Sequence, residues 1–506
     1  MPDTPENFEE EEIKEEKEEI KIINMEPSLY QQTVSILRYH NLCFECFGRQ
    51  FSFLGTATNN TDRAKAILLG LTMECHQLLI KNLVLEKYTL FDQNPLEILH
   101  LIANRTGLIQ AKKMLEKWYR AHPDEVQDHL TINSIRSPCD LCTDLLTDTT
   151  LQTLVQKIQI LIRKYDYNNF LVGTYVNPAQ GDKEDEFRSK FGVTNGESFK
   201  ANLNRLLGVR LQKTLQKPTK FEKPDLTIMV NLRESNIPKI EITSSPLYLR
   251  ARYLKFVRDL PQTHWHCHFC RGRGTHKFTG EICPECHGSG DMFPSSVEDL
   301  IAETLLPATG GEKAILHGAG REDLDARCLG AGREFIMEIK EPRSRHLNYL
   351  ELTQTINKQH GKSIHVTNFT VASKKDVIKF KKNSEFNKKK YHALVELAQP
   401  ISLEEANVKF AMVSEQLCEK KIKQRTPLRV VHRRPDKTRT KIIYSIECKY
   451  VDPLHIYLKV LAQGGTYIKE LISGDNFRTS PSIATIFNIP MVCAELDVVQ
   501  IEELQV

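Results

Sequence analysis

The stretch HGAGREDLDARCLGAGREF, residues 317–335, decides how the rest of this chain is read. Four glycines, at 318, 320, 330 and 332, stand among Arg321, Glu322, Asp323, Asp325, Arg327 and Arg333. Glycines 318 and 320 let the backbone turn sharply, a conformation that side chains there would resist. A carboxylate beside arginines and backbone amides in such a turn stays ionised and exposed. That suits a nucleophile. A structural turn with surface ion pairs has the same composition, and composition alone does not choose between the two.

Around this stretch lies a chain of 506 residues, long enough for two or three domains with their own cores. It is 40% hydrophobic and 26% charged, as in an ordinary soluble globular protein. No apolar run is long enough for a membrane span. The start, MPDTPENFEEEEIKEEKEEIKIINME, lacks the basic and apolar segments of a secretion signal. Together these predict a cytoplasmic protein with no membrane partner. The formal charge of +4 is unevenly spread. Residues 1–26 carry eleven acids and three lysines, which leaves 66 basic against 54 acidic side chains in the rest. A basic body favours a polyanionic partner, and residues 1–26 read as an acidic disordered tail.

The pattern of apolar residues divides the chain. Residues 27–165 are read as mostly helical, from AKAILLGLTMECHQLLIKNLVLEKY and LQTLVQKIQILIRKY. From about 166 to 250 strands (NNFLVGTYV, DLTIMVNL, IPKIEITSSPLYL) alternate with the amphipathic helix ESFKANLNRLLGVRLQKTL. A second α+β region follows, with strands in EFIMEIKEP, KSIHVTNFTVASK, KYHALVELAQP, TKIIYSIECKYVDPLHIYLKVLAQGG and AELDVVQIEEL. Strands with helices set apart predict an α+β fold with a mixed or antiparallel sheet. The predicted division is 1–26, an accessory domain over 27–250, and a third domain over 251–506 with an insertion at about 264–290.

Eight of the thirteen cysteines form CxxC pairs: Cys43/Cys46, Cys139/Cys142, Cys267/Cys270 and Cys283/Cys286. In an intracellular chain such pairs read as metal ligands before disulfides. The last two pairs sit in HCHFCRGRGTHKFTGEICPECHGSG, where the form CxxCxGxG occurs twice. Four thiolates suit tetrahedral zinc, and no open coordination position with a nearby base is evident, so the zinc is structural. The first two pairs are expected to close a second four-cysteine site across 92 residues of chain. His264, His266, His268, His276 and His287 are read as polar surface rather than ligands.

Lysine and arginine crowd KKDVIKFKKNSEFNKKKYH (374–392) and KKIKQRTPLRVVHRRPDKTRTK (420–441). With the basic body they favour a phosphate backbone, that is, nucleic acid, with Arg433 and Arg434 as contacts. A solvated loop would look similar in either cluster taken alone.

Longer motifs carry a resemblance. GREDLDARCLGAGREF resembles the catalytic motif of the archaeal and eukaryotic tRNA pseudouridine synthases numbered ten. PQTHWHCHFC, SSVEDLIAETLL, QRTPLRVVHRR and GGTYIKELISGDNFRTSPSI are similar to the same family. FLVGTYVNP, GESFKANLNRLLG, KPDLTIMV and LYLRARYLKF resemble its THUMP-containing accessory domain. The resemblance runs from about 40 to 500 and departs at Glu334, where the family has proline.

The resemblance implies an isomerase acting on uridine 55 of the tRNA T-arm, with position 54 as a second candidate. It places the nucleophile at Asp323, with Asp325 as rival, and puts a base-stacking, proton-handling tyrosine at Tyr391. It gives Lys469 the ion pair to the aspartate and packs Ile468 and Leu471 around the base. Arg321 or Arg327 would hold the adjacent phosphate. In the accessory domain Arg205 is a candidate tRNA contact. The chain has no Walker or dinucleotide-binding motif, so no organic cofactor is expected, nor an obligate protein partner. A non-catalytic zinc protein that docks structured RNA is the alternative. It would not require Asp323, Tyr391 and Lys469 together.

Overall fold

A computed structural model describes residues 27–502 except Leu54, Thr56, 81–93, 124–136, 235–236 and 384–386. The acidic segment 1–26 lies outside the described residues, as do three residues of the first basic cluster and the side chain of Arg433. No helix among the described residues is long and apolar enough to cross a membrane. Contacts divide the chain into two compact units. One comprises residues 1–157, 174–211 and 230–239; the other comprises 158–173, 212–229 and 240–506.

The amino-terminal helices are α1 (Leu29–Tyr39), α2 (Phe44–Gly48), α3 (Asn60–Ile80), α4 (Pro95–Thr106), α5 (Ile109–Ala121) and α6 (Asp148–Ile162). Local chemistry sets their ends. Ser28 and Gln31 form a capping box on α1. Asn94 caps α4, Pro95 opens it, and Gly107 closes it at φ +74°. Then come β1 (Phe170–Val176), α7 (Pro178–Phe191), α8 (Phe199–Leu215), β2 (Leu226–Leu232) and β3 (Lys239–Ser244). The three strands form a sheet in the order β1-β2-β3.

The remaining elements, which frame the site, begin with β4 (Leu247–Lys255), α9 (Val297–Thr309), β5 (Lys313–Gly318), β6 (Ala326–Lys340) and α10 (Tyr349–His360). Next are β7 (Ile364–Val366), β8 (Thr370–Ala372), α11 (Lys374–Asn383), β9 (Lys388–Leu397), α12 (Leu403–Leu417) and β10 (Lys420–Arg425). A 3-10 helix (Leu428–Arg433) leads to β11 (Thr438–Asp452), β12 (His455–Gln463), α13 (Ile468–Ser473), β13 (Thr479–Ser480), α14 (Ile483–Phe487) and β14 (Met491–Glu502).

Among the described residues these strands form one eleven-stranded sheet along the path β13-β10-β11-β12-β9-β14-β6-β4-β7, with β5 on β6 and β8 on β4. Pairing is antiparallel except that β14 runs parallel to β6. The sheet is therefore mixed, as the strand pattern predicts. The expected boundary at 250/251 falls inside β4, which is a full member of this sheet beside β6.

Three details depart from the sequence reading. The segment KKIKQR, read as part of a solvated or phosphate-binding cluster, is strand β10, because its alternate residues Ile422 and Gln424 are buried. Strand β5 was not anticipated. The opening stretch is not one glycine-rich turn: residues 319–325 are loop, but Ala326 onward is strand. Glu334 lies in that strand opposite Arg252 and ion-pairs with Arg250, so the departure from proline falls in a ladder, not a loop.

Strand β6 changes partner at its glycines. Residues 326–328 pair with β14, with Cys328 also opposite Lys255 of β4; residues 333–339 pair with β4, and the register shifts between. A Cβ at Gly330 would lie 1.8 Å from the carbonyl oxygen of Val499, at φ +63°. Only glycine fits there. Gly330→Ala is expected to lower stability by about 3 kcal/mol, read as the midpoint of urea unfolding. An unchanged midpoint would mean that the backbone there does not take this form.

Candidate active site

The loop between β5 and β6, residues 319–325, is fixed from beneath by groups bonded to its own carbonyls. Arg333 donates to the carbonyl of Ala319 at 2.8 Å and Gln262 to that of Gly320 at 3.1 Å. Lys255, fully buried, donates to the carbonyl of Leu324 at 3.0 Å, and Arg258 to that of Asp325 at 2.9 Å. Glu322 points inward, 2.7 Å from Arg333, and accepts the hydroxyl of Tyr253 at 2.8 and 2.9 Å. With its neighbours held this way, Asp323 is left to project at the tip.

Asp323 lines a cavity of about 610 Å³ shared with Tyr391, Arg429, Lys389, Ile468 and Trp265. The cation on Asp323 is Arg429, which donates to both carboxylate oxygens at 2.9 and 3.0 Å. Buried Glu470 holds the other side of the same guanidinium, 2.7 Å from its Nε. Burial opposes the charge on Arg429, but Glu470 and Asp323 outweigh it and raise its pKa. Such a two-oxygen fork suits a planar carboxylate better than an ammonium does.

This corrects the expected role of Lys469. Its ammonium contacts Asp325, at 2.7 and 2.5 Å, and not Asp323. The reason is register: α13 presents Lys469 and Glu470 in succession, and Glu470 draws Arg429 onto Asp323 while Lys469 meets Asp325. Burial pushes the Asp325 carboxyl up, yet Lys469 more than offsets it and holds the pKa below the usual range.

The other expected residues divide. Tyr391 is buried in the cavity wall; burial, with Asp323 assisting against Arg333, pushes its phenol up to about 12. Ile468 lines the cavity. Leu471 does not; it is fully buried in the core. Arg321 also lines the cavity, with its guanidinium 5.2 Å from the centre of the Trp265 ring. Arg327 is committed elsewhere, in a two-point ion pair with Asp497 at 2.9 and 2.6 Å, because β6 and β14 run side by side there. Arg434 reaches the cavity and donates to the Tyr467 hydroxyl at 3.0 Å. In the other unit Arg205 is forked onto Glu197 at 3.0 and 2.9 Å.

The cysteines gather in two groups, Cys43, Cys46, Cys139 and Cys142, and Cys267, Cys270, Cys283 and Cys286. Within each, the sulfurs lie within 4.8 Å of one another. Sulfurs of Cys43 and Cys142 are 3.6 Å apart, those of Cys267 and Cys283 3.8 Å, and those of Cys270 and Cys286 3.6 Å. A tetrahedral ion at a metal–sulfur distance of about 2.3 Å sets sulfurs about 3.8 Å apart, so both groups fit a metal ion. In the second group the amides of Gly274 and Gly290 donate to Cys270 and Cys286, each at 3.2 Å. A Cβ at Gly274 would lie 2.3 Å from the carbonyl oxygen of Gly288, so the two CxxCxGxG turns meet backbone to backbone. His264 does not stay free: it bonds Asp291 at 2.7 Å and Asp299 at 3.1 Å.

Comparison with known proteins places the chain among relatives. The family described as "Pus10, C-terminal" matches residues 248–502, and "Pus10 THUMP domain, archaeal" matches 154–231. The chain is 35% identical to the tRNA pseudouridine synthase Pus10 of Methanocaldococcus jannaschii, over 95% of each chain. It is 38% identical to that of Methanothermobacter marburgensis over 73% of this chain and 87% of the other. With that of Methanopyrus kandleri it shares 33% over 92% and 96%. The chain belongs to the Pus10 family.

Sequence reasoning missed Arg429 and Lys389 as members of this cavity, and Glu470 as the carboxylate behind Arg429. Arg429 stands in QRTPLRVVHRR and Glu470 in GGTYIKELISGDNFRTSPSI, both read only as whole motifs. Lys389 had a usable signal, since it lies two residues before Tyr391 and a strand places such residues on one face.

Lys469→Met should raise the Asp325 carboxyl above its ordinary value, since burial would then act with less opposition. Carbon-13 NMR titration of labelled aspartates reads this. In the unsubstituted chain a depressed pKa means that the Asp325 contribution to stability is present above the unfolded value and lost as pH falls through the folded one. That acid-side loss should shrink in the variant. An Asp325 pKa that stays low without Lys469 would contradict the assignment.

Proposed function

We propose that this chain is a tRNA pseudouridine synthase that isomerises uridine 55 of the T-arm, with position 54 as second candidate, using Asp323 as nucleophile. The observation that carries this reading is Asp323 itself, forked onto Arg429 and set in the cavity with Tyr391. Asp325 is the less suitable nucleophile. Its side chain is about half exposed and bound to Lys469, and its carbonyl is pinned by Arg258.

In this reading the target base leaves its stack to enter the cavity. Asp323 attacks the ribose C1′ or the base C6. The N1–C1′ bond breaks, the uracil turns, and a C5–C1′ bond forms, while the bond to Asp323 breaks with its electron pair returning to the carboxylate. The proton lost from C5 balances the one gained at N1, so the product is an isomer of the substrate. Arg429 stays with Asp323 as counterion and positions it. Tyr391, with a phenol pKa of about 12, is neutral near pH 7; it offers a ring face and a hydroxyl donor rather than a phenolate. Arg434 and the exposed residues of 374–392 and 420–441 suit the tRNA backbone. The accessory region over 27–250, with its THUMP segment, would add RNA contacts, and the cytoplasm suits such a substrate.

Both cysteine groups are proposed to hold structural zinc. Elemental analysis should find about two zinc ions per chain. Cys283→Ser with Cys286→Ser should remove about one of them and lower solubility. Undiminished zinc in that double variant would refute the assignment.

Asp323→Asn keeps the side-chain shape but removes the anionic oxygen. It should leave zinc content, folding and tRNA binding near those of the unsubstituted chain, with pseudouridine formation undetectable by carbodiimide mapping of unmodified tRNA. Asp325→Asn should keep measurable activity. The reverse outcome would move the nucleophile to Asp325. Absence of pseudouridine from the unsubstituted chain would favour a binding protein.

A further inference from the structure

One cation in the cavity has no assigned work. Lys389 lines it beside Asp323 and is only 6% exposed. Strand β9 buries alternate residues, which puts Lys389 on the same face as Tyr391. A Cβ at Gly320 would lie 3.1 Å from its Nζ, so the ammonium rests against the catalytic loop three residues before Asp323. Among the described residues the Lys389 ammonium makes no hydrogen bond and no ion pair. Its neighbours are already engaged: Arg333 with Glu322 and the Ala319 carbonyl, Lys441 with the Gly464 carbonyl at 2.8 Å.

A buried ammonium without a partner is costly unless something arrives to meet it. We propose that Lys389 is an anion subsite for the base: its ammonium donates to a carbonyl oxygen of the target uracil and stabilises the negative charge that the base carries once N1–C1′ has broken. This rests on the reading of the chain as a pseudouridine synthase. When that bond breaks, its electron pair stays with the uracil and spreads over N1 and the ring oxygens. The ammonium hydrogen-bonds one of these oxygens and keeps its own proton. The charge disappears as the C5–C1′ bond forms and N1 takes up a proton in place of the one lost from C5. No other reactant is needed.

The surroundings fit this task. Burial, then the charge of Arg333, pushes Lys389 down to about 7, with Glu322 and Cys328 opposing and Lys441 assisting. An anion entering the site reverses that pressure and favours the protonated form. The stabilisation is therefore strongest when the base is charged and weak when it is neutral, which is the condition for accelerating a step.

The test uses the full chain and unmodified tRNA, with single-turnover rate, tRNA Kd and the pH profile of kcat/KM measured for the unsubstituted protein, Lys389→Met and Lys389→Arg. Lys389→Met should slow the single-turnover rate by about 10²-fold or more while changing Kd by less than about two-fold. The free site must be protonated to act, so kcat/KM of the unsubstituted chain should fall as pH rises through about 7. Lys389→Arg, permanently charged, should retain part of the rate and lose that fall. A Lys389→Met rate equal to that of the active unsubstituted chain overturns the proposal. So does a loss confined to Kd, which would make Lys389 a phosphate contact. Persistence of the alkaline fall in Lys389→Arg overturns it as well, and decides alone if Lys389→Met does not fold. A chain that leaves tRNA unmodified before any substitution defeats the functional reading itself, which is a different result.

Discussion

The position of the loop that carries Asp323 depends on one buried ion pair. Glu322 and Arg333, each about 1% exposed at the side chain, meet at 2.7 Å beneath residues 319–325. Removing two charges from water is expensive, and a buried pair seldom adds much net stability over apolar packing. What it does supply here is position. Arg333 also bonds the loop carbonyl at 319, and Glu322 takes the Tyr253 hydroxyl, whose oxygen in turn receives Gln262 at 2.8 Å. Gln262 then bonds the carbonyl at 320. The loop is thus tied to β4, to β6 and to the segment after β4, with Glu322 as the shared anchor one residue before Asp323.

Two carboxylates two residues apart would disfavour each other's ionisation if they shared one cation. The fold avoids this by bringing a separate cation to each from a different part of the chain. Arg429 comes from the 3-10 helix and Lys469 from α13, and Glu470 secures the first choice by holding Arg429 from behind. Interchanging these partners would give Asp323 a single ammonium able to swing, where the guanidinium fork fixes both oxygens. Geometry at Asp323 therefore depends on a glutamate that does not touch it.

Much of this was legible in sequence, for reasons that differ by feature. Strands such as FLVGTYV and KYHALVEL announce themselves because alternation reflects burial of one face. Four CxxC pairs announce the two four-cysteine groups because two residues between thiols suit both to one ion. The loop tip at Asp323 was legible from the motif. Pairings across long separations were not: Asp323 with Arg429 spans 106 residues and Asp325 with Lys469 spans 144. Nothing local distinguishes Lys469 on Asp325 from Lys469 on Asp323; only the register of α13 against the loop does. Arg327 misled for a similar reason, since its sequence neighbours suggest a substrate contact while its partner, Asp497, lies 170 residues away. Strand β10 was hidden by its composition, because lysines occupy its exposed positions and mimic a solvated cluster.

Sorting the basic residues around the cavity by partner gives its electrostatic character. Arg333 is met by Glu322, Arg429 by Asp323 and Glu470, Lys469 by Asp325, and Arg258 and Arg327 by Asp497. Each of these groups is tied to a carboxylate, and the potential it offers a ligand is reduced accordingly. Arg434 and Arg439 differ: their hydrogen bonds go to the Tyr467 hydroxyl, the Thr426 hydroxyl and the Lys437 carbonyl, and among the described residues no carboxylate pairs with either. Both line the cavity, with Lys389 also present there. A ligand that enters with its charge on a backbone and a neutral base ahead of it matches this arrangement: Arg434 and Arg439 suit its phosphates, and the paired carboxylate and lone ammonium suit the base. In the proposed reaction a base already anionic on entry would meet repulsion from the Asp323 carboxylate, whereas a base that becomes anionic only after the carboxylate has acted would not.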